Sequence, residues 1–168
     1  MTAYADNPAP LLLAIYRRLA EACEIAPDLR NPALAVDIAG FRRYRGDWIG
    51  AVVTPWFLRL FVLPGGGELW REVAPGERLL LDFPAGQLAF VGEATPGGEV
   101  PAALYCPLLP SVSALASQEA ALEFAMTAFT TLFSPPAPEP TAAVADERPA
   151  PPPVTDRRGF FRRLAGRA

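Results

Sequence analysis

Apolar residues at helical spacing predict one helix near the start of the chain and another near residue 130. The first begins at Asn7-Pro8, because Asn caps helices and Pro suits a first turn, where its missing N–H would lack a partner. The second covers about 117–133, with Ser117 as its cap, and Pro135-Pro136 end it. The apolar stripes consist of Leu12, Ile15, Tyr16, Leu19, Ala22 and Cys23 in the first helix and Leu122, Ala125, Met126, Phe129, Leu132 and Phe133 in the second.

Between these helices, apolar and β-branched runs bounded by Gly or Pro predict strands. The run WFLRLFVL has a single charge, Arg59, so we expect both of its faces to be covered. Gly65 to Gly67 predict a hairpin turn rather than a phosphate-binding loop, because no helix follows them. The fold class is therefore α+β, with an N-terminal helix, a central, mainly antiparallel β-sheet and a C-terminal helix packed on it. The predicted strand runs are LAVDIAGF, DWIGAVVT, WFLRLFVL, ERLLLDFP, GQLAFVGE and AALYCPLLP.

A change in composition after the second helix divides the chain into three parts. Residues 1–133 form the predicted globular domain. Residues 134–155 read SPPAPEPTAAVADERPAPPPVT, a Pro- and Ala-rich stretch that cannot bury a core and predicts a disordered linker. Residues 156–168, DRRGFFRRLAGRA, restore basic and aromatic character and form a separate C-terminal motif.

Charge and residue usage narrow the possible functions. All fifteen basic residues are arginine, and the chain has neither Lys nor His. Schiff-base chemistry and a P-loop lysine are thereby excluded, and the commonest general base is missing. No secretory leader precedes the first helix, and no apolar run reaches the roughly 18 residues needed to span a bilayer. We therefore expect a cytoplasmic protein without stable membrane insertion.

Candidate catalytic and metal-binding groups are few. Cys106 is a possible nucleophile, but no His exists to activate it, and its position in a strand favours a buried apolar role. Asp37, Asp47 and Asp82 lie near strand ends and could converge, yet carboxylates there are usually turn-formers or solvated charges. We predict no catalytic residue, no metal and no cofactor.

One arginine-rich stretch invites a nucleic-acid interpretation. The segment FRRYRGDW interleaves arginine with aromatic residues, as single-strand-binding surfaces do. However, the chain up to Phe133 carries nine arginines against fourteen aspartates and glutamates. Because an acidic domain is a poor phosphate binder, we predict no nucleic-acid partner.

Three tryptophans within 23 residues are more than a small core requires. Trp is rarely fully buried and is the residue most enriched at binding hot spots. We therefore expect at least one of Trp48, Trp56 and Trp70 to line a peptide groove.

The segments GDWIGAVVTPWFLRLFVLPGG, LDFPAGQLAFVGE and YCPLLPSVSALASQEAALEFA resemble the HybE/HupJ family of nickel–iron hydrogenase assembly chaperones. The most specific parts are Thr54-Pro55-Trp56, Leu63-Pro64-Gly65 with Trp70 after it, and Cys106-Pro107-Leu108. The resemblance implies an accessory chaperone that is not an enzyme. Some members carry a rubredoxin module with two C-x-x-C pairs, which this sequence lacks, so iron binding is not carried over.

The implied partners are the hydrogenase small-subunit precursor, with its twin-arginine signal, and/or the large subunit, held back from export until cofactors are in place. Other maturation proteins are further possible partners. Paired guanidiniums prefer carboxylates, and the residues that follow them prefer an apolar slot. The carboxylates near the Trp-rich stretch are Asp37, Asp47, Glu68 and Glu72. Together with the motifs that carry the resemblance, these preferences imply as client-binding residues Asp47, Trp48, Thr54, Pro55, Trp56, Pro64, Gly65, Trp70 and Cys106.

The C-terminal motif resembles a twin-arginine signal at the wrong end of the chain, because no long apolar run follows it. We hypothesise that it is a pseudo-signal that occupies the domain's own groove until a client displaces it, helped by the high effective concentration of a tethered segment. A docking peptide for another maturation protein, a membrane-surface helix and a tail without a role remain open alternatives. The residues concerned are Arg157, Arg158, Phe160, Phe161 and Leu164.

Two function classes therefore stand: a client-binding chaperone or adaptor, and an enzyme that uses Cys106 or the aspartates. The absent catalytic partners favour the first.

Overall fold

A computed structural model describes residues 3–22, 26–93 and 102–135. Within them, six strands that form one sheet lie in sequence between a first and a last α-helix, as the hydrophobic pattern predicts. Nearly all of the predicted linker and the whole C-terminal motif, with Cys23 of the first helix, lie outside these residues. The elements are α1 Ala9–Ala22, a 3-10 turn Pro27–Leu29, β1 Asp37–Tyr44, β2 Asp47–Val53, β3 Leu58–Leu63, β4 Arg78–Phe83, β5 Gly86–Gly92, β6 Leu104–Pro107 and α2 Gln118–Leu132.

Both helices begin with the predicted side-chain caps. The Ala9 amide donates to Oδ1 of Asn7 at 3.0 Å, and the Ala120 amide donates to Oγ of Ser117 at 3.1 Å. These bonds satisfy amides that have no partner within the first helical turn. None of the described helices has the length and apolar character that crossing a membrane would demand.

The sheet is antiparallel throughout, with strand order β1-β2-β3-β6-β5-β4. Five of the six residues in the central strand β3 are buried, which confirms the expectation for the run with one charge. The hairpin predicted at Gly65 to Gly67 is wrong, because β3 pairs with β2 and β6 while β4 lies at the far edge. Residues 64–77 instead form a crossover loop across one end of the sheet.

The two helices pack on opposite faces of the sheet. Val52 and Phe61 point into the cluster that contains Leu12, Ile15 and Tyr16 of α1. Their neighbours in β2 and β3 point into a larger cluster with Ala121, Ala125, Phe129 and other residues of α2. Because successive strand residues face opposite sides, these are two separate packing layers. We call them the α1-side cluster and the α2-side cluster.

Candidate client-binding site

The carboxylate of Asp47 fixes the start of the crossover loop. Its Oδ1 accepts from the amides of Gly65 and Gly67 at 2.7 and 3.0 Å, and its Oδ2 from those of Leu69 and Trp70, both at 2.8 Å. Only 1% of Asp47 is exposed. Four amide donors occupy a carboxylate that faces inward, so Asp47 organises the loop and offers no open position to a client guanidinium.

Glycines allow the crossover loop to touch the β1–β2 turn backbone to backbone. A Cβ on Gly67 would lie 2.1 Å from the carbonyl oxygen of Arg45, and one on Gly65 would lie 2.3 Å from that of Gly46. No side chain fits at such distances. The Leu63-Pro64-Gly65 motif therefore supports a close approach between two loops, on which the Asp47 hydrogen bonds depend.

Trp48 binds the N-terminal segment of the chain. Its Nε1 donates to the carbonyl oxygen of Tyr4 at 2.9 Å, and the guanidinium of Arg43 lies 4.7 Å from its ring centroid. Arg43 also donates to the carbonyl oxygens of Tyr4 and Ala5, at 3.2 and 2.8 Å. The indole N–H of Trp48 is therefore paired within the protein, while the residue as a whole is half-buried.

Thr54 and Pro55 build the corner between β2 and β3. The Thr54 hydroxyl accepts from the Phe57 amide at 2.9 Å and donates to the Phe57 carbonyl at 3.1 Å. The Pro55 carbonyl accepts from the amide of Asn31 at 2.7 Å. Trp56 is half-buried, and its ring packs edge-on against that of Phe57 at 5.8 Å. This corner and Asp47 lie at opposite ends of β2, roughly 20 Å apart at the usual rise per strand residue.

Trp70 lines a cleft between the crossover loop and the start of β6. The cleft has a volume of about 200 Å³. Trp70 is half-buried and packs against the α2-side cluster. Its indole Nε1 is buried and has no hydrogen-bond partner among the described residues. The cleft is lined by Trp70, Arg71, Glu72, Val73, Pro75, Glu93, Ala102, Ala103 and Leu104.

Glu93 is another residue of this cleft, and only 10% of its side chain is exposed. Its Oε2 lies 3.4 Å from a guanidinium nitrogen of Arg59, and that guanidinium lies 4.2 Å from the ring centroids of both Phe57 and Tyr105. Burial raises the pKa of Glu93, an effect that the charge of Arg59 partly offsets. Burial, and secondarily the charge of Glu93, also raise the pKa of Tyr16, while Arg59 lowers it.

Cys106 lies in the α2-side cluster with 1% of its surface exposed, so its thiol faces the core and not the solvent. Its Sγ donates to the carbonyl oxygen of Pro107 at 3.8 Å. In the described part of the chain, His, Cys, Asp and Glu residues form no group of three that would hold a metal ion.

The structure thus divides the predicted site residues into three places. Asp47, Trp48, Pro64, Gly65 and Trp70 lie at one end of the sheet, joined by the hydrogen bonds of Asp47 and the contacts of the crossover loop. Thr54, Pro55 and Trp56 lie at the other end of β2, and Cys106 lies in the core.

Glu93 and its partner Arg59 do not appear among the predicted site residues. The available signal was the single charge of Arg59 in an apolar strand, since a half-buried cation requires a partner.

Comparison with known proteins places this chain among hydrogenase maturation factors. The family model described as "[NiFe]-hydrogenase assembly, chaperone, HybE" matches residues 7–163. The hydrogenase expression/formation protein HupJ of Bradyrhizobium diazoefficiens is 32% identical over 169 residues, which cover 96% of this chain and 95% of that protein. The probable rubredoxin HupJ of Rhodobacter capsulatus is 30% identical over 77% of this chain, but the match spans only 50% of that longer relative.

The hydrogenase-2 operon protein HybE of Escherichia coli O157:H7 is 30% identical over 54% of this chain and 56% of its own length. The solution structure of HybE from Escherichia coli superposes with a TM-score of 0.63, covering 89% of this chain and 91% of that one at 23% identity. That likeness shows the shared fold. With the family match over most of the sequence, it follows that the chain belongs to the HybE family of [NiFe]-hydrogenase assembly chaperones.

Proposed function

We propose that this protein binds structural-subunit precursors of a [NiFe] hydrogenase in the cytoplasm and delays their export until their cofactors are in place. The client is the small-subunit precursor with its twin-arginine signal, the large subunit, or both. The family match over residues 7–163 carries this proposal. The inaccessible thiol of Cys106 supports binding rather than thiol chemistry, because a nucleophile must reach its substrate.

The tryptophans are the proposed contact residues. Trp48, Trp56 and Trp70 each keep part of the side chain exposed after their internal contacts are made. Large aromatic side chains with one open side are typical anchors of protein interfaces. The other predicted residues of the two loops then act indirectly. Asp47 and Gly65 position Trp70, and the Thr54 hydroxyl positions Trp56 by accepting from its backbone amide.

Affinity capture tests this proposal directly. The tagged full-length chain is expressed in cells that produce a [NiFe] hydrogenase, and the captured proteins are identified by mass spectrometry. We expect at least one structural subunit to be enriched over a tag-only control. Trp70→Ala and Trp56→Ala should each lower the recovery, whereas Leu29→Ala, at an exposed position outside both loops, should not. Recovery of neither subunit by the unaltered protein would refute the proposal.

An adaptor function is a second candidate, favoured by the basic and aromatic C-terminal motif, which a Pro- and Ala-rich stretch separates from the predicted globular domain. In the pseudo-signal hypothesis that motif competes with the client. In the adaptor hypothesis it binds another maturation protein.

The full-length double variant Arg157→Ala/Arg158→Ala distinguishes the two hypotheses. A pseudo-signal predicts tighter binding of a twin-arginine signal peptide by calorimetry, because the internal competitor is weakened. An adaptor predicts unchanged affinity for that peptide together with loss of another maturation protein from the captured complex. Unchanged or weaker peptide affinity contradicts the pseudo-signal.

A further inference from the structure

We propose that the edge strand β4 binds a second copy of this chain, with the two β4 strands antiparallel about a two-fold axis at Leu80. This interface uses none of the residues proposed to contact the client, so it goes beyond the proposed function. Three observations carry the inference: a regular strand edge with unpaired backbone groups, an exposed leucine at its centre, and opposite charges at equal distances on either side of that leucine.

The outer edge of β4 has backbone groups without partners. In the part of the chain that the structure describes, β4 pairs with β5 alone. The amide of Gly92 donates to the carbonyl oxygen of Glu77 at 2.9 Å, which fixes the alternation of this ladder. In an antiparallel ladder every second residue directs both its N–H and its C=O to the same neighbouring strand. The residues of β4 whose backbone groups point away from β5 are therefore Arg78, Leu80 and Asp82.

The side chains of these same three residues are exposed. Leu80 is 59% exposed, and the other large apolar side chains with comparable exposure among the described residues lie in the helices and the 3-10 turn. Alternate residues of β4 point into the α2-side cluster instead. An apolar side chain in the middle of an open strand edge gains free energy when a second apolar side chain covers it.

The opposite edge of the sheet, β1, is interrupted. Its register shifts between Ala39 and Arg42, and Gly40 has a φ of +68°. Such bulges prevent an edge from pairing with a further strand. β4 pairs with β5 over six successive residues without a shift, and the amide of Ala85 in the hairpin turn donates to the carbonyl oxygen of Leu132 at 3.1 Å. Of the two edges, β4 is therefore the one that is regular and held in place.

The helices leave the β4 edge open. The main contacts of α1 are with β1, and those of α2 are with β1, β2 and β3, so both helices pack on the other half of the sheet. The rings of Tyr44 and Phe83 meet at 5.8 Å on the α2 side, where Phe83 is buried, and not at the outer edge. A second β4 strand can therefore extend the sheet while the helices of the two copies stay apart.

The charges of β4 are complementary to themselves. In an antiparallel pair centred on Leu80, this residue lies opposite its own copy, and Arg78 of each chain lies opposite Asp82 of the other. Arg78 has no ion-pair partner among the described residues. One oxygen of Asp82 accepts from Nε2 of Gln87 at 2.7 Å, so the second oxygen is available to a guanidinium. The symmetric interface contains each ion pair twice, together with about six backbone hydrogen bonds.

Sedimentation equilibrium of the full-length chain is the first test. Because the interface is short, we expect a reversible dimer with a dissociation constant in the micromolar range or weaker, measurable between about 1 µM and about 1 mM protein. Arg78→Asp and Asp82→Arg each place like charges opposite one another in both ion pairs. Each should weaken self-association by about 10-fold. The double variant Arg78→Asp/Asp82→Arg restores both attractions and should return to within about threefold of the unaltered chain.

A charge reversal elsewhere on the surface is the matched control. Glu123→Arg makes the same change of charge as Asp82→Arg on an exposed position of α2 and should leave self-association unchanged. Thermal unfolding confirms that every variant is folded. Rescue by the double variant distinguishes pairing between two copies from an effect of net charge, because only the second copy supplies the reversed partner.

Cross-linking by cysteine tests the register. The two Leu80 residues form a hydrogen-bonded pair with Cα atoms about 5.5 Å apart, a distance that a disulfide spans. The two Arg78 residues lie more than about 13 Å apart along the strands. Leu80→Cys should therefore form a covalent dimer under mild oxidation, while Arg78→Cys and the unaltered chain, which both retain Cys23 and Cys106, should not.

Three results would overturn the proposal. The first is a chain that keeps the mass of one copy at every concentration, whether the edge then stays open or takes a different segment. The second is a dimer whose stability neither single charge reversal changes. The third is cross-linking of Arg78→Cys as fast as that of Leu80→Cys, because β4 would then lack the antiparallel register centred on Leu80.

Discussion

The backbone amide of Trp70 donates a 2.8 Å hydrogen bond to Oδ2 of Asp47, a residue 23 positions earlier in the chain. This bond joins the first residue of β2 to the crossover loop. It fixes the backbone of Trp70, one of the residues that line the cleft beside the crossover loop. The buried carboxylate of Asp47 therefore holds the crossover loop at the end of the sheet and, with it, the proposed contact residue Trp70.

Replacing Asp47 with Asn should destabilise the fold strongly. The side chain of Asn has one accepting oxygen, whereas both carboxylate oxygens of Asp47 accept. The NH₂ group of Asn would therefore face two backbone N–H donors, which would lose their acceptor. We expect a loss of about 2–4 kcal/mol in the free energy of unfolding. Urea denaturation measures it, with the exposed Asp82→Asn as control. A change in Asp47→Asn as small as that of the control would mean that the four bonds do not hold the loop.

Two glycine substitutions separate crowding from backbone strain. Gly67→Ala places a Cβ 2.1 Å from the Arg45 carbonyl oxygen, while Gly76→Ala meets no atom within 4 Å but has a φ of +80°. Gly76→Ala should cost about 1–2 kcal/mol from the left-handed backbone alone. Gly67→Ala should cost more and should also weaken client binding, because the loop must move. Equal losses in urea denaturation would contradict the close approach of the two loops.

Cys106→Ala should leave client binding and hydrogenase maturation intact. The thiol is buried in the α2-side cluster, so its removal leaves a small cavity and we expect a loss of about 1–2 kcal/mol in stability. Hydrogenase activity in cells carrying the variant is the measurement. A complete loss of maturation in a variant that remains folded would favour the thiol-dependent enzyme.

Glu93→Gln should change stability in a pH-dependent way. Burial raises the pKa of Glu93, so the folded protein holds this proton more tightly than the unfolded chain does. The stability that this group contributes is fully present below the unfolded pKa of about 4.3 and is lost as the pH rises through the folded pKa. Glutamine carries no charge at any pH, so the variant does not lose this stability as the pH rises.

The variant should therefore be as stable as the unaltered protein near pH 4 and at least as stable at pH 7. Arg59, which loses its partner, reduces the gain. Urea denaturation at both pH values measures the difference. A variant that is less stable at pH 7 but equal at pH 4 would mean that the attraction between Glu93 and Arg59 outweighs the cost of burial.

The elements were predictable because local patterns encode them. Asn7 and Ser117 cap the helices as expected, and the apolar run around Arg59 is the buried central strand. The order of the strands was not predictable in the same way. The glycines at 65–67 have the composition of a hairpin turn, but their use depends on contacts with Arg45 and Gly46 of another turn.

The candidate site was likewise predictable from the sequence only in part. The sequence identified Asp47 and Trp70 as notable, yet it suggested that the carboxylate faces a client, whereas four amides occupy it. Glu93 was missed because nothing near it in sequence reveals its burial. Its partner Arg59 lies 34 positions away, and the two meet only when β3, β6 and the end of β5 are assembled.

The sequence by itself determined the helices, the strands, the family resemblance and the lack of histidine and lysine, since these depend on neighbouring residues and on composition. Only the tertiary structure decided that Thr54-Pro55-Trp56 and Trp70 lie at opposite ends of the sheet and that Asp47 faces inward. It also decided that the carboxylate of Glu93 pairs with Arg59 of the central strand. The physical reason is that burial and hydrogen-bond satisfaction depend on long-range strand pairing, which a one-dimensional pattern does not specify.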